Sequence, residues 1–206
     1  MTDTSNTHAA LPLLPLQTVL FPGTLLPLRI FEARYLDMIS SSLREARPFG
    51  IVAIRAGREV GPTPEFFPFG TTATVESFDQ GGDGLLHVRV LGTARFRVES
   101  QVVQANALLV ATVTSVPPAE DRDIPADLDY LRALLADIFA AHPAQVSYRD
   151  RQMHSALWVA YRLAEMLPLA TATKLAILQA DDGLAALSRL DAGVHAPIRP
   201  PPRGTH

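Results

Sequence analysis

The side chains that could do chemistry in this chain are few. Of its 18 basic residues only Lys174 is lysine; the others are arginine, which stays charged and is a poor general base. Any lysine-dependent mechanism therefore has one candidate. A phosphate-cradling loop needs G-x-x-x-x-G-K-[ST], and Lys174 follows Thr173 instead, so no such loop is present. Cysteine is absent, which removes thiolate nucleophiles, thiolate metal sites and disulfides together. The six histidines do not converge: His8, His195 and His206 lie towards the termini, His142 sits beside Pro143, and His87 and His154 fall on different elements. A metal site needs three or four converging ligands. The G-x-S-x-G elbow of serine hydrolases is missing, and Ser155, next to His154, points to a different helix face from it. Asp181 and Asp182 read as caps between short helices rather than as paired catalytic acids. No catalytic residue, metal or cofactor is expected.

Two groups remain as candidate binding surfaces. Arg89, Arg95 and Arg97 share one side of an alternating segment, where they could contact phosphates or acidic peptide segments. The plainer alternative is a solvated barrel face paired with Glu76 or Glu99 across strands. Phe66, Phe67 and Phe69 lie in or beside a proline-rich stretch, where they could form an apolar patch for unfolded segments or fold back as a plug on the barrel end. A cleft between two halves of the chain would be a third surface.

The 206 residues are 48% hydrophobic and 19% charged, enough for one large domain or two small ones. A formal net charge of −3 supplies no wide basic field for nucleic acid or an anionic membrane. No stretch approaches the roughly 20 apolar residues of a membrane helix, and the polar start Met1–Thr7 is unlike a signal peptide, so a cytoplasmic protein is expected.

The elements that must position these groups divide the chain in two. Leu11–Leu20, Thr24–Ile30, Phe49–Arg55, Gly70–Phe78, Leu85–Val98 and Leu108–Ser115 read as six strands. Pro12, Pro15 and Pro27 suit edges, and Arg58–Pro68 reads as a loop. In the fifth strand Leu86, Val88, Val90, Phe96 and Val98 alternate with His87, Arg89, Thr93, Arg95 and Arg97, with Gly92 as a bulge or bend. If that bulge shifts the phase, the two halves of the stripe do not share a face. Between the second and third strands, Phe31, Tyr35, Ile39 and Leu43 recur four apart, with Leu36 and Ala46 on the same side, predicting a helix that ends before Pro48. Residues 117–124 read as a polar link. Beyond it Leu128, Leu131, Leu135, Ile138 and Phe139 form a helical stripe, a second helix spans about Asp150–Leu167, and shorter ones follow. The expected division is a disordered start over 1–10, a barrel over 11–116, a helical bundle over 125–191, and a disordered proline- and arginine-rich tail over 192–206.

Several segments carry a family pattern in order. Leu13-Leu14-Pro15-Leu16 through Phe21-Pro22-Gly23 to Leu26-Pro27-Leu28 resembles the opening of the Lon protease N-terminal, substrate-binding domain. Arg29-Ile30-Phe31-Glu32-Ala33-Arg34-Tyr35 resembles the version in stand-alone members, Gly92-Thr93-Ala94-Arg95-Phe96-Arg97 its later glycine-containing strand, and Leu163–Leu169 with Lys174-Leu175 and Leu178 its helical end. The resemblance implies an α+β fold: a PUA-like six-stranded β-barrel with one inserted helix, followed by a C-terminal helical bundle. It also implies binding of unfolded protein or peptide segments, as a proteolysis adaptor or quality-control accessory. In full-length Lon this domain precedes an ATPase module and a serine–lysine protease module, and here a dyad would have to use Lys174, without its expected surroundings. PUA-like barrels also occur in RNA-binding proteins, which makes an RNA- or nucleotide-binding barrel the alternative.

Overall fold

The computed structural model describes residues 9–81, 85–142 and 151–195. Six strands appear in this span: β1 (Ala9–Leu16), β2 (Leu25–Ile30), β3 (Phe49–Ala56), β4 (Glu65–Gln80), β5 (Leu86–Val103) and β6 (Leu109–Ser115). One helix, α1 (Ala33–Glu45), is inserted between β2 and β3, and α2 (Asp129–Ala141), α3 (Ala156–Met166), α4 (Thr171–Leu178) and α5 (Gly183–His195) follow the strands. The fold is α+β, with the barrel-like sheet and helical half that the sequence implies.

The strand order is β2-β5-β4-β3-β1-β6, and a further β5–β6 pairing closes the sheet into a barrel. All pairings are antiparallel except β1 with β3. Strand β5 is long enough to serve two partners along one edge: its first half, Leu86–Leu91, pairs with β2, and its second half, Phe96–Val103, pairs with β6. The expected bulge lies between them, where Ala73 pairs with Gly92 but Thr71 pairs with Arg95. It shifts the side-chain phase, so Val88 and Val90 enter one core cluster and Phe96 and Val98 another. Gly92 is required by close approach: a Cβ there would lie 2.4 Å from the Phe21 carbonyl oxygen.

The aromatic segment departs from the expected loop. Glu65–Pro68 is already strand, paired through Glu65 and Phe66 with the far end of β3. The ladder to β5 begins only at Phe69, so Pro68 has no ladder partner on that side to which its missing N–H would be a loss. The face of α1 also differs. Tyr35, Met38, Ile39 and Ser42 are buried, whereas Phe31, Leu36 and Leu43 are exposed. A three-four spacing through Tyr35, Met38, Ile39 and Ser42 outcompetes the simple four-residue repeat.

The helices begin where caps allow. Ser155 Oγ accepts from the Trp158 backbone N–H at 2.8 Å, so α3 starts after it rather than near Asp150. Asp182 Oδ1 likewise accepts from Ala185 N at 2.8 Å at the start of α5. Leu131, Leu135 and Phe139 of α2 point inward as expected. The helical half shares its core with the barrel: Val19, Phe21, Ala53 and Phe69 cluster with Leu131, Tyr161, Leu163, Leu178 and Leu187. The stretch 117–124 is stitched into that assembly, with Glu120 bridging to Asp182 and Asp123 to Ser155. Helix α5 runs to His195. The expected disordered tail over 192–206 is thus helical through His195, and Ala9 and Ala10 of the expected disordered start belong to β1; the remainder of both, with most of the glycine turn at 81–84, lies outside the described residues.

Candidate functional site

The structure separates the three arginines of the alternating stripe. Arg95 is 4% exposed, not on a solvated face. Its guanidinium donates to the carbonyl oxygens of Leu178 (2.9 Å) and Ala180 (2.6 Å), at the end of α4, and to that of Pro117. Arg95 is therefore a structural tie between barrel and helices, and the bulge that follows Gly92 is what turns it inward. Arg89 and Arg97 remain exposed on either side of that bulge, Arg89 opposite Pro27 and Ser77, and Arg97 with its guanidinium 5.8 Å from the Phe69 ring centre. A continuous basic strip does not form. The phenylalanines also turn inward. Phe69 is buried in the cluster shared with the helices, Phe67 packs on that cluster, and Phe66 packs on the separate barrel cluster that holds Leu13, Val52 and Phe96.

A second buried tie was not legible in the sequence. Arg162 of α3, 1% exposed, donates to the Pro22 carbonyl at 2.9 Å and to Thr24 Oγ1 at 3.1 Å, and pairs with Glu165 at 2.7 Å. Thr24 in turn donates to Glu165. Lys174 is half-buried on α4. Burial lowers its pKa, and the nearby charge of Glu165 opposes that shift.

The open surface lies elsewhere. Among the described residues β2 pairs only with β5, leaving its other edge without a strand. Along β1, pairing with β6 stops at Leu13, so Leu14–Leu16 keep one edge unpaired. A groove of about 430 Å³ is lined by Leu14–Leu16, Pro27–Ile30, Phe31, Glu32, Tyr35, Glu59 and Val60. Residues of β1 and β2 line it, while their ladder partners β3 and β5 do not. The groove therefore runs along their unpaired edges. Pro15 and Pro27 each lack an N–H, which keeps the two edges from zipping together in a continuous ladder.

One end of the groove is fixed by Arg34, which is buried and pairs with Glu32 at 2.7 Å. It also donates to the carbonyls of Ala107 (3.0 Å) and Gly61 (3.2 Å). Glu59 accepts from the Gln17 backbone N–H at 2.6 Å, tying the loop before β4 to the end of β1. Burial raises the pKa of Tyr35 in the wall, with Arg34 opposing the shift. Two apolar side chains of the lining are exposed, Phe31 at 53% and Val60 at 54%. Phe31, Leu36 and Phe78 together line an adjoining notch with Ile30, Leu85 and Leu86. The helical periodicity put Phe31 and Leu36 on the same helix side as Tyr35 and Ile39, which the structure buries, and so hid this surface. The one available signal was that Phe31 precedes the helix it was counted in.

The comparisons with known proteins agree with this architecture. The model of the ATP-dependent protease La (LON) substrate-binding domain matches residues 10–190. The Lon protease of Anaeromyxobacter dehalogenans is 32% identical over 123 residues, 59% of this chain but 14% of that protein. Protein cereblon of Danio rerio is 30% identical over 128 residues, covering 60% of this chain and 28% of cereblon. The chain thus spans a minor part of these relatives. Among solved structures, a Lon N-terminal domain protein from Xanthomonas campestris superposes with a TM-score of 0.73 at 35% identity, covering 89% of this chain and 98% of that one. The N-terminal domain of Mycobacterium avium complex Lon protease shares the fold, with a TM-score of 0.64 at 20% identity over 92% of this chain and all of the other. By the extent of the family match, this chain belongs to the Lon substrate-binding domain family.

Proposed function

We propose that the protein binds unfolded or partly unfolded polypeptide segments without transforming them, as an adaptor or quality-control accessory for proteolysis. The observation that carries this reading is the exposed apolar surface made by Phe31 and Val60 in the groove and by Leu36 and Phe78 in the notch that adjoins it through Ile30 and Phe31. Solvent-exposed aromatic side chains gathered on one surface mark interaction sites, and the family's substrate-binding role gives the partner class. Tethering without chemistry suits a surface whose charged groups are few and partly tied to backbone groups, as Glu59 and Arg34 are. The RNA-binding alternative loses its main support with Arg95 turned inward.

The test is fluorescence anisotropy with a labelled, permanently unfolded polypeptide, comparing the wild-type chain with a Phe31→Ser/Phe78→Ser variant. Saturable binding, weakened about tenfold or more in the variant, is expected, since truncating a hot-spot aromatic costs roughly 2 kcal/mol. Equal binding by both proteins, or none by the wild type, would overturn the proposal.

A further inference from the structure

From the unpaired edge of β2, we infer that the groove takes its occupant as an added β-strand: an extended segment of another protein, apolar on alternate residues and carrying an acidic side chain opposite Arg29. This deepens the protein-binding reading and rests on it. Three observations converge. The groove lies along the edge of β2, because Pro27–Ile30 line it while no residue of the ladder partner β5 does. That edge has no strand partner among the described residues, so β2 backbone donors and acceptors face the groove, and such an edge is a template for another chain. Finally, Arg29 is exposed in the groove wall and makes no ion pair among the described residues, whereas Glu32 is paired with Arg34 and Glu59 with a backbone amide.

The side-chain requirements follow from strand geometry. Alternate residues of an added strand point to the same face. One set would meet the apolar wall of Leu14, Leu16, Leu28 and Tyr35, and the other would face solvent and the Arg29 guanidinium. Pro27 removes one donor from the template but leaves its own carbonyl, so the edge is weakened and still usable. That weakening also discourages indiscriminate edge pairing between copies.

The test uses the whole chain and a capped peptide of about eight residues, the length of an ordinary strand, with valine at alternate positions and glutamate and threonine between. Two isomers carry backbone N-methyl groups along one edge or the other. The parent should bind saturably and slow hydrogen exchange at the β2 amides. The isomer methylated on the edge facing β2 should lose about tenfold or more, from several lost backbone bonds, and the other should keep its affinity. Arg29→Glu should weaken the glutamate peptide and strengthen a lysine analogue. Equal behaviour of the two isomers, or exchange protection elsewhere than β2, would overturn strand addition. So would a dimer in sedimentation that already protects β2 without peptide. If unfolded polypeptide binds while the parent peptide does not, strand addition falls and the protein-binding function stands; if neither binds, both fall.

Discussion

Arg95 offers the sharpest contrast between what the sequence suggests and what the structure requires. If Arg95 and Arg97 lay on one ligand-binding face, replacing either by alanine would leave stability almost unchanged. The structure instead places Arg95 among the carbonyls of Leu178, Ala180 and Pro117. Hydrogen bonds from a charged donor contribute about 1.5–3 kcal/mol each. Three bonds to one group are not additive, and removing one side of a buried charged arrangement costs about 3–5 kcal/mol. Arg95→Ala should therefore lose about 3–5 kcal/mol, a large part of the roughly 5–15 kcal/mol a domain possesses. With a urea slope of about 2 kcal/mol/M the midpoint falls by about 2 M. Arg97→Ala, which removes an exposed guanidinium lying over the Phe69 ring, should lose no more than about 1 kcal/mol. Urea unfolding followed by Trp158 fluorescence reads both. Because barrel and helices share one core cluster, the transition should stay single. A loss below about 1 kcal/mol for Arg95→Ala would refute the buried-tie argument.

Gly92→Ala should destabilise by about 1–3 kcal/mol in the same assay, because its Cβ meets the Phe21 carbonyl where the loop before β2 crosses β5. The Phe31→Ser/Phe78→Ser variant should stay within about 1 kcal/mol of wild-type stability while losing binding of a hydrophobic dye, since both rings are already largely exposed. Lys174 gives a pH signature. Burial lowers its folded pKa below the ordinary 10.5, so the unfolded chain holds the proton more tightly. The ammonium thus opposes folding at neutral pH, and the opposition fades as pH rises through the folded pKa towards 10.5. Lys174→Met should be slightly more stable than wild type at pH 7, with a gap that narrows on approaching that pH; a less stable variant in thermal unfolding at pH 7 would contradict it.

Local patterns carried much of the fold. The six apolar strand segments, the helix ending before Pro48, and the helical stripe of Leu131, Leu135 and Phe139 each reflect forces acting within a few residues, and the structure has a strand or helix at each of them. The candidate site was far less legible, because it depends on what strands and helices do to one another. The segment around Phe66 is rich in proline, yet β3 supplies partners that make it strand. Phe31 fits a four-residue repeat, but α1 begins two residues later, leaving the ring at the rim. Pro27 marked β2 as an edge strand, but where that open edge would lie could not be read locally. It exists because β5 turns from β2 to β6 at the bulge, and because β6 covers only the first part of β1.

The preference for arginine over lysine finds a physical account in three buried guanidinium groups. Arg34, Arg95 and Arg162 each reach from one part of the chain to backbone carbonyls of another: Arg34 to Gly61 and Ala107, Arg95 to Pro117 and the end of α4, and Arg162 to Pro22. A lysine has three donors on a strongly hydrated point charge and loses its proton readily when buried, whereas guanidinium offers five donors in a fixed fork and keeps its charge. One such group can therefore join two or three separate carbonyls. The effect on function is indirect. Arg162 holds the β1–β2 loop against α3, and Arg34 holds the loop at Gly61 and the β5–β6 turn against α1. Arg34 thus fixes the flank of the groove at Glu32 and Gly61, next to Val60, while Phe31 and Val60 in its lining stay exposed.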